Sequence, residues 1–204
     1  VAVIYILLLG PQLARQDLRH DLGNLDLLKT YPLPGWQVLL GELLAPVAIL
    51  SALVWLALLA MAMAFRAKLG ASFAPGVLAT GGGCIALTIP PLVMVQLLVP
   101  NAAAVMFPAW ASSMRGRGNG GIDMMGQRLI VVFGQLLVLL LALLPAGLSG
   151  LVLIVAFQWL IGAGPAIALA TVAVLVLLGG ELWCGIWLLG QRFEKIDLAV
   201  ELRS

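Results

Sequence analysis

Chemistry inside a protein needs ionisable or polar side chains held away from bulk water, and this chain has few of them. Glu42 and Glu181 are the carboxylates that fall within long apolar runs. Carboxylates at membrane depth are costly and tend to face a bundle interior, a water-filled cavity or a partner. Glu181, in the run Gly179-Gly180-Glu181, is expected either to line a pathway or seal a contact between copies, or to bond a neighbouring helix that the two glycines allow to come close. Glu42 lies nearer the start of its run and is expected to bond the Tyr31–Gly35 turn or to pair with Arg128. No metal site is expected. His20 is the single histidine, and Cys84 and Cys184 sit in separate apolar runs without a ligand pattern. The cysteines are expected as small buried apolar side chains. No paired His and Glu ligands, and no Ser with a base, suggest a catalytic set, so no catalytic residue, cofactor or enzymatic activity is expected. The phosphate-binding pattern G-x-x-x-x-G-K-[ST] does not occur, and Gly81-Gly82-Gly83 has no Lys-Ser/Thr after it.

The elements around these residues are written in the composition. Hydrophobic residues make up 63% of the 204 residues, charged residues 10%, and the mean hydropathy is +1.13. A soluble domain carries roughly 25% charged residues, so this chain cannot coat itself in water. Its apolar runs exceed the roughly 20 residues that cross a bilayer core of about 30 Å as a helix, and they lack the alternation of a barrel strand. The expected class is an all-α, polytopic membrane helical bundle. A net charge of +2 gives no reason to expect nucleic acid.

Val1–Leu9 is apolar but would extend only about 13 Å as a helix, and is expected to be the cytoplasmic end of a span whose remainder lies upstream, making the chain an N-terminally truncated fragment. Residues 10–36 form a polar segment, and residues 37–204 a membrane bundle of about four further spans with a short cytoplasmic tail. The first full span is expected over Val38–Phe65, kinked at Pro46. The next apolar region, Val77–Trp110, is expected to break at Pro90-Pro91, cross to about Val99 and continue as a short interfacial piece, Asn101–Trp110. Leu129–Ile161 carries Pro145 in its middle and reads as one span plus a re-entrant piece, or as two short spans. Gly162–Pro165 then interrupts the chain before a last span, Ala166–Leu189. Gln96, Gln135 and Gln158 are expected to bond between helices. Trp159, Trp183 and Trp187 are expected in packing or as interface anchors. Met61, Met63, Met124 and Met125 should fill the core or interfaces.

Basic residues choose between the two readings of Leu129–Ile161. Arg15, Arg19, Lys29, Arg115, Arg117, Arg128, Arg192, Lys195 and Arg203 are nine of the eleven. All of them face the cytoplasm, as the positive-inside rule prefers, when that region crosses once. Arg66 and Lys68 then face outward.

The polar segment, RQDLRHDLGNLDLLKTYPLPGW over Arg15–Trp36, is the strongest pointer to a role. Over Gln12–Lys29 it is amphipathic, with Leu18, Leu22, Leu25 and Leu28 at helical spacing. Pro32, Pro34 and Gly35 end that helix. Such a segment can lie on lipid. Asp17, Asp21 and Asp26 oppose Arg15, Arg19 and Lys29, however, whereas a lipid anchor would be richer in Lys and Arg. A leucine face placed in a partner's groove is the better fit.

This segment leads into L-K-T-Y-P-L-P-G-W-Q-V-L-L-G-E-L-L-A-P (residues 28–46), which resembles the permease subunits of ABC-2 type exporters, where a similar L-x-T-L-P-[LV] stretch joins the second and third spans. Asn101–Trp110 (NAAAVMFPAW), Ile122–Leu129 (IDMMGQRL) and Phe193–Glu201 (FEKIDLAVE) are similar to stretches of ABC exporter permeases. The resemblance covers nearly the whole chain through short motifs, without the first span. It implies an ABC-2 permease-like fold in a multi-pass protein of the bacterial plasma membrane. It also implies an exporter subunit that does not hydrolyse ATP, pairs with a second copy or paralogue, and docks a separate ABC ATPase through Leu18, Arg19, Leu22, Leu25, Leu28, Thr30 and Pro32. The alternative is an ion-coupled secondary transporter using Glu181; Glu42 would be its only other deep carboxylate.

Overall fold

A computed structural model describes residues 33–69, 75–106 and 122–195. Within them the chain is helical without strands: α1 (Gly35–Leu69), α2 (Pro75–Met106), α3 (Ile122–Ile161) and α4 (Ala163–Lys195). Each contains a stretch long and apolar enough to cross a membrane, namely Gly35–Ala64, Ala79–Ala103, Leu136–Ile161 and Ala163–Glu194. The chain is therefore read as a multi-pass membrane protein, all-α as its composition indicates. The seven segment residues Leu18 to Pro32 named above lie outside the described residues.

Proline does not break these helices. Pro90, Pro91 and Pro100 lie inside α2, and Asn101–Met106 continues it, which corrects the expected break and the separate interfacial piece at those residues. The reason is the solvent. In hydrocarbon an unsatisfied backbone group loses several kcal/mol, so a span stays helical and repairs the gap locally. Pro90 has no N–H to give the Ala86 carbonyl one turn back. The indole Nε1 of Trp55, on α1, donates to that carbonyl at 2.9 Å. One proline lesion in α2 is thus closed by a side chain from the neighbouring helix.

α3 likewise runs 40 residues through Pro145. It is one continuous helix with neither a re-entrant piece nor a second short span, and its Leu136–Ile161 stretch is long and apolar enough for a single crossing. It ends at a single residue, Gly162, whose φ of +86° favours glycine. The Gly162 N–H donates to the Gln158 carbonyl at 3.1 Å, and the Ala166 N–H donates to the Gly162 carbonyl at 3.2 Å. Pro165 sits in the first turn of α4, where its missing N–H has no intrahelical acceptor to serve. The interruption expected over Gly162–Pro165 shrinks to one glycine, and α3 and α4 form a tight helical hairpin.

α4 packs against all three other helices, and α1 and α2 pack on each other. One apolar core joins Leu39, Leu43, Val47, Leu50 and Val54 of α1 to Ile89, Val93 and Leu97 of α2 and to Ile186, Leu189 and Phe193 of α4. A second joins Val95 of α2, Ala146 of α3, and Leu178 and Leu182 of α4. The starts of α1 and α3 and the ends of α2 and α4 thus share one side of the bundle.

The outer surface is apolar, as a lipid-facing surface must be. Trp159 and Leu160 are 87% and 78% exposed, and Trp183, Trp187, Met61 and Met63 are also exposed. Cys84 is half-buried and Cys184 exposed, so these cysteines and the methionines Met61 and Met63 are not core filler. In lipid the outside is as apolar as the inside, and hydropathy alone does not separate the two.

Candidate functional site

The polar interior is sparse. Ser51, Gln96 and Asn101 are buried. Asn101 Nδ2 donates to the Leu97 carbonyl at 2.9 Å, and Gln96 and the half-buried Glu42 are also engaged in polar or electrostatic contacts. Gln158 is exposed on the bundle surface. Thr80, Thr88, Ser149 and Thr171 turn their hydroxyls back to carbonyls of their own helices at 2.8 Å, which satisfies them without reaching a neighbour. Among the described residues no three His, Cys, Asp or Glu side chains gather as metal ligands.

Glu181 lies on α4 nine residues before Gly190, about 13 Å along the helix axis. Val174, seven residues earlier, approaches Gly150 of α3, and Gly185, four residues later, approaches Leu98 of α2. Residues at these spacings share one helix face, so Glu181 lies on the seam where α4 meets α2 and α3. Its Oε2 is buried with no hydrogen-bond partner among the described residues. A buried acceptor left open is destabilising. Ser51 Oγ on α1 is likewise buried without a hydrogen-bond partner among the described residues, but Glu181 is the carboxylate of the two. Glu42 sits seven residues into α1, at a similar depth of about 10 Å from Gly35, and is flanked by Leu39 and Leu43 of the other core. The two carboxylates therefore share a level of the bundle while belonging to different seams.

The best-built polar feature lies where the segment before residue 36 enters the bundle. Pro34 offers its carbonyl to the N–H groups of Gln37 and Val38, at 2.9 and 3.5 Å, and so starts α1. The first amide of the helix, Gly35 N–H, donates to Oε1 of Glu194 near the end of α4, at 2.7 Å. That carboxylate also sits favourably against the positive end of the α1 dipole. Here the backbones nearly touch. A Cβ on Gly35 would collide with the Gly190 carbonyl, and a Cβ on Gly190 would stand 2.5 Å from the Trp36 nitrogen. Trp36 and Trp183 pack with ring centroids 5.9 Å apart and planes tilted 56°. Leu39 and Leu43 meet Leu189 and Phe193 in the core just inside.

The sequence pointed to the Tyr31–Gly35 turn, with Glu42 expected to bond it or to pair with Arg128, and Glu42 is engaged in a polar or electrostatic contact. The carboxylate on the Gly35 amide is that of Glu194. Glu194 lies 159 residues from Gly35 in the chain, within a charged tail, and no local spacing marks it. The glycines gave the only usable signal, since both stand at the boundary of an apolar run where a close helix crossing needs a missing side chain.

No family model, no curated protein and no solved structure matches the chain.

Proposed function

We propose that this chain is the transmembrane permease subunit of an ABC exporter, driven by a separate ABC ATPase subunit docked on residues 12–35. The observation that carries the reading is the sequence Asp17–Pro46, an amphipathic, charge-balanced segment with a two-proline exit that runs directly into α1. Two features support it. Four candidate spans supply a wall for a translocation path, and the exit of the segment is fixed by Glu194 to the end of the helix that touches the other three. A docked ATPase that closed on nucleotide would shift this junction and rock the spans between inward and outward arrangements. A second copy or a paralogous permease would complete the path in the bacterial plasma membrane. The chain itself would supply no bond-making chemistry.

The test is to purify the full-length native protein in mild detergent and identify its companions by mass spectrometry. An ABC ATPase at stoichiometric level, lost on Leu22→Asp or Leu25→Asp while the spans stay folded, supports the reading. An active protein that comes out alone overturns it.

A second reading rests on Glu181. A carboxyl oxygen buried in a span without a hydrogen-bond partner among the described residues suits an ion-coupled secondary transporter. It leads if no ATPase accompanies the active protein.

A further inference from the structure

We infer that the Gly35–Gly190–Glu194 junction is a clamp that makes the start of α1 and the end of α4 one mechanical unit. A force applied through the segment before residue 36 then enters the bundle through two helices instead of one.

Several independent features bear on the same few residues. Glu194 Oε1 takes the leading amide of α1 at 2.7 Å, a charge-assisted bond and therefore stronger than a neutral one. Each of Gly35 and Gly190 brings its backbone against the backbone of the opposite helix, so neither tolerates a Cβ without movement. Trp36 packs on Trp183, two turns before Gly190 on α4. Leu39, Leu43, Leu189 and Phe193 are buried together behind the contact. Backbone contact, an anchored amide and an apolar backing leave little room for sliding. α2 contributes Val105 to the same core, but its end at Met106 is exposed.

α4 packs on α2 and α3 as well as on α1, so a displacement at Glu194 reaches every described helix. A segment joined only to the chain that follows it would move α1 alone. The clamp adds α4, and with it the Glu181 seam. That ATP-driven closure supplies the force rests on the exporter reading; the clamp does not.

Spin labels on the full chain test it. Cys84 and Cys184 are replaced by Ser, and labels are placed on exposed positions as Gln37→Cys with Leu188→Cys, or Gln37→Cys with Met106→Cys. In nanodiscs the Gln37–Leu188 distribution should be narrow. Glu194→Ala should raise a longer-distance component roughly fivefold, as expected for loss of one partly solvent-screened hydrogen bond. Glu194→Gln, which keeps an acceptor oxygen, should restore most of the narrow distribution, which a merely electrostatic tail residue would not do. Gly190→Ala should shift the main distance outward. With the ATPase and a non-hydrolysable nucleotide bound, Gln37–Met106 should change while Gln37–Leu188 stays fixed. Equal widths in the wild type and Glu194→Ala, or a Gln37–Leu188 distance that moves with nucleotide as far as Gln37–Met106, overturn the clamp. If no ATPase binds, the exporter reading fails, and the comparison of widths still decides the clamp.

Discussion

The two ends of the bundle are held together in opposite ways. At the end bearing Gly35 and Glu194, residues 159 apart in sequence meet through a backbone amide, a carboxylate and two glycines. At the other end α3 and α4 are joined by one residue, Gly162, so their association is written in the chain itself. A local connection forms early and is hard to rearrange, because few degrees of freedom separate its parts. A long-range contact has no such tether and rests on its own bond and packing. The clamped end is therefore where a displacement is passed to α1 and α4 together, and the hairpin end is where the chain itself fixes the pairing.

The sharpest way to break this contrast is to force the clamp apart. Gly190→Val places side-chain atoms against the Trp36 backbone and is expected to cost about 3 kcal/mol by overpacking, seen as a lower unfolding midpoint in detergent. At the other end, Gly162→Val imposes a branched side chain at φ +86° and should cost about 2 kcal/mol. There the effect should include looser pairing of α3 with α4, read by hydrogen exchange, and the Gln37–Leu188 distance should not change. Glu194→Ala is expected to cost only about 1 kcal/mol, because the carboxylate is exposed on one side, yet to alter motion more than stability. A smaller loss still, about 0.6 kcal/mol, is expected for Trp55→Phe, which leaves the Ala86 carbonyl without its indole donor; increased exchange around Pro90 would register it. Glu181→Leu should go the other way and raise the midpoint, since it removes a buried oxygen that has no hydrogen-bond partner among the described residues. A lowered midpoint would mean that Glu181 is paired in the membrane.

The helical, membrane-spanning class was legible in the sequence because the apolar runs are long and nearly uncharged. The continuity of α2 and α3 was not. Pro90, Pro91 and Pro145 read as breaks by rules learned in water, while in lipid the need to satisfy every backbone group outweighs local propensity. Inside and outside were equally hidden, and Cys184 and Met63 lie exposed where a soluble protein would bury them. Glu42 and Glu181 stood out in the charge pattern, but their surroundings did not: Glu181 Oε2 is buried without a hydrogen-bond partner among the described residues, while Glu42 is engaged. Glu194 was missed, because a tertiary bond spanning most of the chain leaves no periodic trace.

The most direct test of the proposed role is native mass spectrometry of the full-length protein released from nanodiscs. The account expects a permease pair carrying ABC ATPase subunits, with the ATPase mass lost on Leu22→Asp and retained in Glu194→Ala. A particle containing only this chain, active and unchanged by Leu22→Asp, would contradict it.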